Sequence, residues 1–192
     1  MTLLLLATAC VAPEVLPSRD GTVPAGVDFS GNWQIQSNQR ADQQRLRQAI
    51  RRTDGIRDDD LFRRPDRDST DRNRRSGDSG VKGGLVFVFL ETGSSLKVTQ
   101  TEHGLFISFD RAIVEEYRFG ENRMINVGEV QAQRVTGWEG NQLVVETLDK
   151  NSMKMTERLE LVDSGNVLER TITFRSKEGE EESVVQRFDR QG

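Results

Sequence analysis

The stretch MKMTERLELVDSGNVLERTITF, from Met153 to Phe174, contains two runs in which apolar and polar residues alternate. Alternation with a period of two is typical of a β-strand that is buried on one face. The residues DSGN between the runs are favoured in tight turns. The stretch therefore predicts an antiparallel hairpin in which Val162 pairs with Val167.

This hairpin carries two opposite charges on its otherwise apolar face. Glu157 shares a face with methionines and leucines, and Arg170 shares one with Leu168, Ile172 and Phe174. In the predicted register Glu157 lies opposite Ile172 and one diagonal step from Arg170. We therefore expect an inward-facing polar cluster, which consists of Glu157, Arg170, Tyr117 and Glu115. Three interpretations stay open: the head site of a bound amphiphile, a structural ion pair, or a bulge that returns Glu157 to solvent.

Similar alternating runs recur along most of the chain, with turn residues between them and no proline after Pro65. The run LVFVFL, from Leu85 to Leu90, is either a further strand or a buried helical turn, because a short apolar run fits both. The fold class predicted is all-β. We expect an up-and-down antiparallel meander of about 8–9 strands, which hides its edges by forming a closed or half-open barrel.

An Arg/Asp-rich segment interrupts this pattern after the first strand. Between Arg40 and Arg75 the chain has 12 Arg and 8 Asp, and within ADQQRLRQAIRRT the apolar residues have helical spacing. We expect a solvated helix followed by a disordered loop. Interleaved Asp and the lack of aromatic residues between Phe62 and Phe87 argue against nucleic acid as a partner.

The only cysteine, Cys10, directly follows a short apolar run. Leu3 to Ala9 is too short to span a bilayer but has the length of a signal-peptide core. The sequence ATAC resembles the lipobox of bacterial lipoproteins. This resemblance implies cleavage before Cys10, lipidation of Cys10, and membrane attachment through it. Val11 stands where Asp commonly signals inner-membrane retention, so the resemblance implies an outer-membrane lipoprotein that faces the periplasm.

A second resemblance lies in FSGNW, which gives Gly31-x-Trp33 on the first strand. This is similar to the G-x-W motif of lipocalin-like barrels. Together with runs from Ser95 onward, it resembles uncharacterised bacterial envelope lipoproteins that have a lipocalin-like β-barrel domain. The resemblance implies that Trp33 closes one barrel end beneath an arginine of the last strand. Arg187 and Arg190 both fit that role.

These observations divide the chain into five segments. We expect a signal peptide at 1–9, a lipidated cysteine and proline-containing tether at 10–28, and the first barrel strand at 29–38. The Arg/Asp-rich insertion then occupies 39–83, and the remainder of the barrel occupies 84–192.

Nothing in the sequence has the pattern of a catalytic or cofactor site. His103 is the only histidine and lies in a turn. The acidic run from Glu178 to Glu182 lacks the spacing of metal ligands. We expect no enzyme activity, cofactor or metal. Two functions remain open: a periplasmic protein that binds a small apolar or amphipathic molecule, or an envelope structural protein with a filled barrel and an arm that contacts a protein partner.

Overall fold

The computed structural model describes residues 13–54 and 85–192, which form ten β-strands and one α-helix. Helix α1 is Gln39–Asp54, and a 3₁₀ segment follows at Leu85–Phe89. The strands are β1 (Gly31–Ile35), β2 (Ser95–Gln100), β3 (Gly104–Phe109), β4 (Ile113–Arg118), β5 (Asn122–Val127), β6 (Val130–Glu139), β7 (Gln142–Asp149), β8 (Lys154–Val162), β9 (Val167–Arg175) and β10 (Glu181–Gln191).

All ten strands belong to one antiparallel sheet whose order is β4-β3-β2-β1-β10-β9-β8-β7-β6-β5. Pairing of β1 with β10 brings the first and last strands together. The two edge strands, β4 and β5, are consecutive in the chain but lie at opposite ends of this order. The sheet therefore rolls into a half-open barrel. We call the end that carries α1 and the 3₁₀ segment the helical end, and the opposite one the closed end.

The predicted antiparallel meander is confirmed, and so is the predicted register of the hairpin that β8 and β9 form. Val162 pairs with Val167 and Glu157 with Ile172. The count of about 8–9 strands was too low because β5 was not recognised. Its sequence, NRMINV, places Arg123 on the inward face and leaves Met124 exposed, so the usual alternation is reversed there.

Helix α1 forms where it was expected, but the prediction that it is solvated is wrong. Leu46, Ala49 and Ile50 are buried and pack with Phe174 and Val184 of the barrel. The helix makes its main contacts with β10 and β9. Its apolar stripe therefore fills the helical end, because a barrel of this length needs side chains there that its own strands do not supply.

The run at Leu85 forms the 3₁₀ segment, one of the two structures that its sequence allowed. Val86 and Phe89 are buried against the same cluster as α1, whereas Val88 is exposed. The part of the Arg/Asp-rich insertion between 55 and 84 lies outside the described residues.

Residues 13–28, here called the strap, were expected to be a tether, and that expectation is wrong for the part described. Leu16 is buried against Val135 and Leu148 on the outer face of the sheet. Asp20 forms a bridge with Trp138. The backbone passes so close to Gly137 that a Cβ there would lie 2.4 Å from the Asp20 carbonyl oxygen. A glycine on β6 thus makes room for the strap.

Candidate functional site

A buried ion pair lies between the two apolar clusters of the barrel interior. The Nε atom of Arg170 donates to Oε2 of Glu157 at 2.8 Å, and a second guanidinium nitrogen contacts the same oxygen. Both side chains are only 2% exposed. Burial acts to lower the pKa of Arg170, but the charge of Glu157 and its hydrogen bond, together with the nearby Tyr117 and Asp42, outweigh burial and raise that pKa.

The pair continues as a hydrogen-bonded chain toward helix α1. Arg170 Nη1 donates to Gln186 Oε1 at 3.3 Å, and Gln186 Nε2 donates to Asp42 Oδ2. Asp42 is buried and also accepts a bond of 2.6 Å from Arg45 Nη2. Asp42 and Gln186 were not identified from the sequence, because single polar residues in a helix or strand usually face solvent.

Tyr117 and Glu115 lie close to the Glu157–Arg170 pair, and these side chains form one layer of polar groups inside the barrel, here called the polar layer. Burial raises the pKa of the Tyr117 hydroxyl, and the neighbouring charge of Glu157 adds to this effect. Glu115 accepts a bond of 3.1 Å from Arg134 Nη1. The Arg134 guanidinium lies 5.5 Å from the centre of the Tyr117 ring. The structure thus brings all four predicted residues together and adds Arg134.

Arg134 was missed, although the sequence contained a signal for it. In the run EVQAQRV, Arg134 alternates with Ala132, which faces inward. An arginine on an apolar strand face is the same break in pattern that marked Arg170.

One oxygen of this layer has no partner. Glu157 Oε1 is buried and accepts no hydrogen bond from any described residue. A buried carboxylate oxygen without a donor costs about 1–3 kcal/mol or more. Such an atom requires an explanation, and a bound molecule or water that donates to it is one.

The polar layer is next to a cleft that opens between the two edge strands. The cleft has a volume of about 340 Å³ and lies where β4, β5, β6 and the 3₁₀ segment meet at the helical end. Phe89, Ile125 and Val127 give it apolar walls, and Arg134 and Glu115 give it a charged one. Arg123 lies at its rim, where it contacts Glu121 at 3.2 Å. The cleft therefore combines apolar surface with one ion pair, in which Arg134 is buried and Glu115 is partly exposed.

A second groove, of about 280 Å³, separates α1 from the 3₁₀ segment. Its walls are mainly apolar and include Leu46, Ile50, Phe87 and Leu90. The polar side chains of its lining are those of Gln43, Arg47 and Thr92.

The closed end contains the two residues that the G-x-W resemblance placed there. The Arg190 guanidinium lies 4.2 Å from the centre of the Trp33 ring, and Trp33 Nε1 donates to the Phe29 carbonyl oxygen at 3.0 Å. Arg187 instead pairs with Glu169 on the outer face, at 2.7 Å. Of the two arginines that fit the role, the structure places Arg190 over the tryptophan.

The remaining sites from the sequence contribute no chemistry to this cleft. The imidazole of His103 is exposed and lies 3.0 Å from the carboxylate of Glu102. Within residues 13–54 and 85–192, no group of acidic, histidine or cysteine side chains has the arrangement of a metal site. Cys10 lies outside the described residues. None of the described helices is long and apolar enough to cross a membrane.

No protein-family model matches this chain, and no curated protein matches it. Among solved structures, the zebrafish ileal bile acid-binding protein complexed with cholic acid aligns at 14% identity with a TM-score of 0.43, covering 85% of this chain and 98% of that one. The wild-type fluorescent protein UnaG aligns at 15% identity with a TM-score of 0.45, covering 85% and 97%. Both TM-scores lie below 0.5, so neither likeness assigns a ligand or an activity to this chain.

Proposed function

We propose that this chain is a non-enzymatic binding protein for a small amphipathic molecule, held in the cleft between β4 and β5. The observation that supports this most directly is the cleft itself, in which the apolar side chains Phe89, Ile125 and Val127 lie beside the buried Arg134 and its partly buried partner Glu115. Ligand sites commonly combine apolar side chains with a few fixed polar groups, and this cleft has both, with a lining that is more polar than apolar. Its volume is at the small end of the range for such sites.

The size of the cleft restricts the ligand. A water molecule occupies about 30 Å³ of liquid, so a cleft of about 340 Å³ accommodates roughly ten non-hydrogen atoms. The apolar end of the ligand would contact Phe89 and Ile125. Its polar end would replace water at Arg134 and Glu115. An eight-carbon chain with one polar head group has this size.

The test is a calorimetric titration of the full chain with octanoate, octanol and octylamine, which share one chain and differ in head group. We expect saturable binding of at least one of them. An Ile125→Trp variant should abolish it by filling the cleft. Val185→Trp is the matched control, because Val185 is exposed on the outer face of β10 and does not line the cleft. Binding that is absent for all three probes, or equal in both variants, would contradict the proposal.

We further propose that the protein is an outer-membrane lipoprotein that faces the periplasm, attached through lipidated Cys10. The support is the apolar run before Cys10 and the resemblance of ATAC to a lipobox, together with the likeness to envelope lipoproteins with lipocalin-like domains. A Cys10→Ser variant should leave the membrane fraction. Membrane association of this variant after a high-salt wash would contradict the anchor.

An envelope structural protein with a filled barrel is the second candidate. The observation in its favour is that α1 and the 3₁₀ segment pack their apolar residues into the helical end, in one cluster with Met155, Ile172 and Phe174. In that case the part of the Arg/Asp-rich insertion beyond α1 would contact a protein partner. The titration separates the two candidates, because only the first requires a saturable ligand.

A further inference from the structure

The cleft is surrounded by exposed apolar side chains. Val88 on the 3₁₀ segment, Val114 on β4, and Met124 and Val127 on β5 are each 42% to 64% exposed. Three of the four line the cleft, and Val114 precedes the lining residue Glu115. Exposed apolar side chains that gather at one place on a surface commonly mark a contact with another protein or a membrane.

These residues all lie at one end of the barrel. Strand β1 leads directly into α1, so Ile35 is at the helical end, and antiparallel pairing then places Ile113 and Val127 at the same end. Near the closed end, by contrast, Trp33, Phe29 and Trp138 are buried. Among the described residues, four of the seven exposed large apolar side chains therefore lie around the entrance to the cleft, and the other three are Val15 on the strap, Phe106 on β3 and Val185 on β10.

The strap begins at this same end. Glu14 contacts Arg175, the last residue of β9, which pairs with Lys154 at the start of β8. Glu14 is four positions after Cys10 in the chain, and a chain spans at most about 3.6 Å per residue. Cys10 is therefore within ~14 Å of Glu14. Because Leu16 and Arg19 fix the strap to the sheet, an anchor on Cys10 would hold the helical end close to the bilayer.

We propose that the helical end docks on a lipid bilayer surface, with the entrance to the cleft at the contact. This inference rests on the anchored binding protein proposed above and adds its orientation. Val88, Val114, Met124 and Val127 would insert among the head groups, as the apolar faces of interfacial proteins do. An amphipathic molecule would then pass between bilayer and cleft without crossing water.

The experiment uses Cys10, the only cysteine of the chain, to attach the full-length protein to vesicles. The vesicles contain phosphatidylethanolamine, phosphatidylglycerol and a maleimide-bearing lipid. The reference is the same chain capped with a soluble maleimide. Amide hydrogen exchange is measured for both, so that the attachment does not depend on lipidation in the cell.

We expect slower exchange on vesicles in the peptides that contain Val88, Val114 and Met124, and unchanged exchange around His103 at the closed end. A Val114→Gln/Met124→Gln variant should lose this protection. Val185→Gln is the matched control and should retain it, because Val185 has similar exposure but lies on the outer wall of β10.

No protection at the helical end, or equal protection at His103, would overturn the inference. Neither outcome affects the proposed binding function, since the titration with the three octyl probes is carried out without vesicles. The mass of protein purified from membranes reports separately whether Cys10 carries acyl chains.

Discussion

At the scale of single residues, Glu157 and Arg170 are the most informative pair. Each was identified because it breaks the apolar alternation of its strand, and the register of the hairpin then placed them side by side. Their hydrogen-bond partners were not predictable in the same way. Gln186 and Asp42 lie far apart in the sequence, and only the packing of α1 into the barrel brings them together.

Removal of one member of this pair should be costly. Glu157→Gln leaves Arg170 buried beside a neutral group, and we expect a loss of about 3–5 kcal/mol in the free energy of unfolding. The double variant Glu157→Leu/Arg170→Met removes both charges and should lose clearly less. Urea denaturation of the three proteins measures the difference. A double variant that loses as much stability as Glu157→Gln, or more, would contradict this expectation.

At the closed end, the resemblance to lipocalin-like barrels predicted a contact that the residue pattern alone did not. The G-x-W pattern predicted a stacked arginine, but strand parity left Arg187 and Arg190 as equal candidates. The pairing of Trp33 with Arg190 across β1 and β10 decides between them. Register of this kind depends on contacts between the two ends of the chain, which no local pattern contains.

At the scale of secondary-structure elements, strands with clear alternation were predictable and those with mixed faces were not. Strand β5 has Arg123 on the inner face of the sheet and Met124 on the outer face, and its sequence was not recognised as a strand. Helix α1 was predictable as a helix from its apolar stripe. The strands against which α1 packs were not predictable, because an apolar stripe indicates that one face of a helix is buried without indicating what covers that face.

Helix α1 should therefore contribute to the stability of the barrel. We expect Leu46→Ala to destabilise the fold by about 2–5 kcal/mol, since it leaves a cavity against β9 and β10. Gln44→Ala is the control on the exposed face of the same helix and should have almost no effect. Thermal unfolding compares the two. Equal melting temperatures would mean that the helix does not pack in the core.

The strap should respond to acid. Burial opposes ionisation of Glu146, but hydrogen bonds from Arg19 and the charges of Arg19 and Lys154 outweigh it and lower its pKa below 4.5. A carboxylate whose pKa is lower in the folded state adds stability above its unfolded pKa, and this is lost as the pH falls through the folded value.

Wild type should thus be more stable than Glu146→Gln by about 1 kcal/mol at pH 7. The difference should stay constant down to about pH 5 and shrink below 4.5. Denaturation curves over this range measure it. A difference that is independent of pH would show that the Arg19–Glu146 contact does not stabilise the ionised form.

At the scale of the whole molecule, the sequence predicted an antiparallel meander and left open whether the barrel closes. The structure leaves a gap between β4 and β5 and fills the helical end with α1 and the 3₁₀ segment. This combination determines where a ligand has room. Two clusters of buried side chains, around Phe188 and around Phe174, lie inside the described part of the barrel, and the cleft at the gap is the proposed site.

The most direct test of this account is to locate the bound molecule. Amide chemical shifts of the isotopically labelled protein are measured during titration with the octyl probe that binds in calorimetry. The account predicts saturable changes at Phe89, Glu115, Ile125 and Arg134, around the cleft. Changes centred instead on Gln43, Leu46 and Ile50, in the groove beside α1, or no saturable change at all, would contradict it.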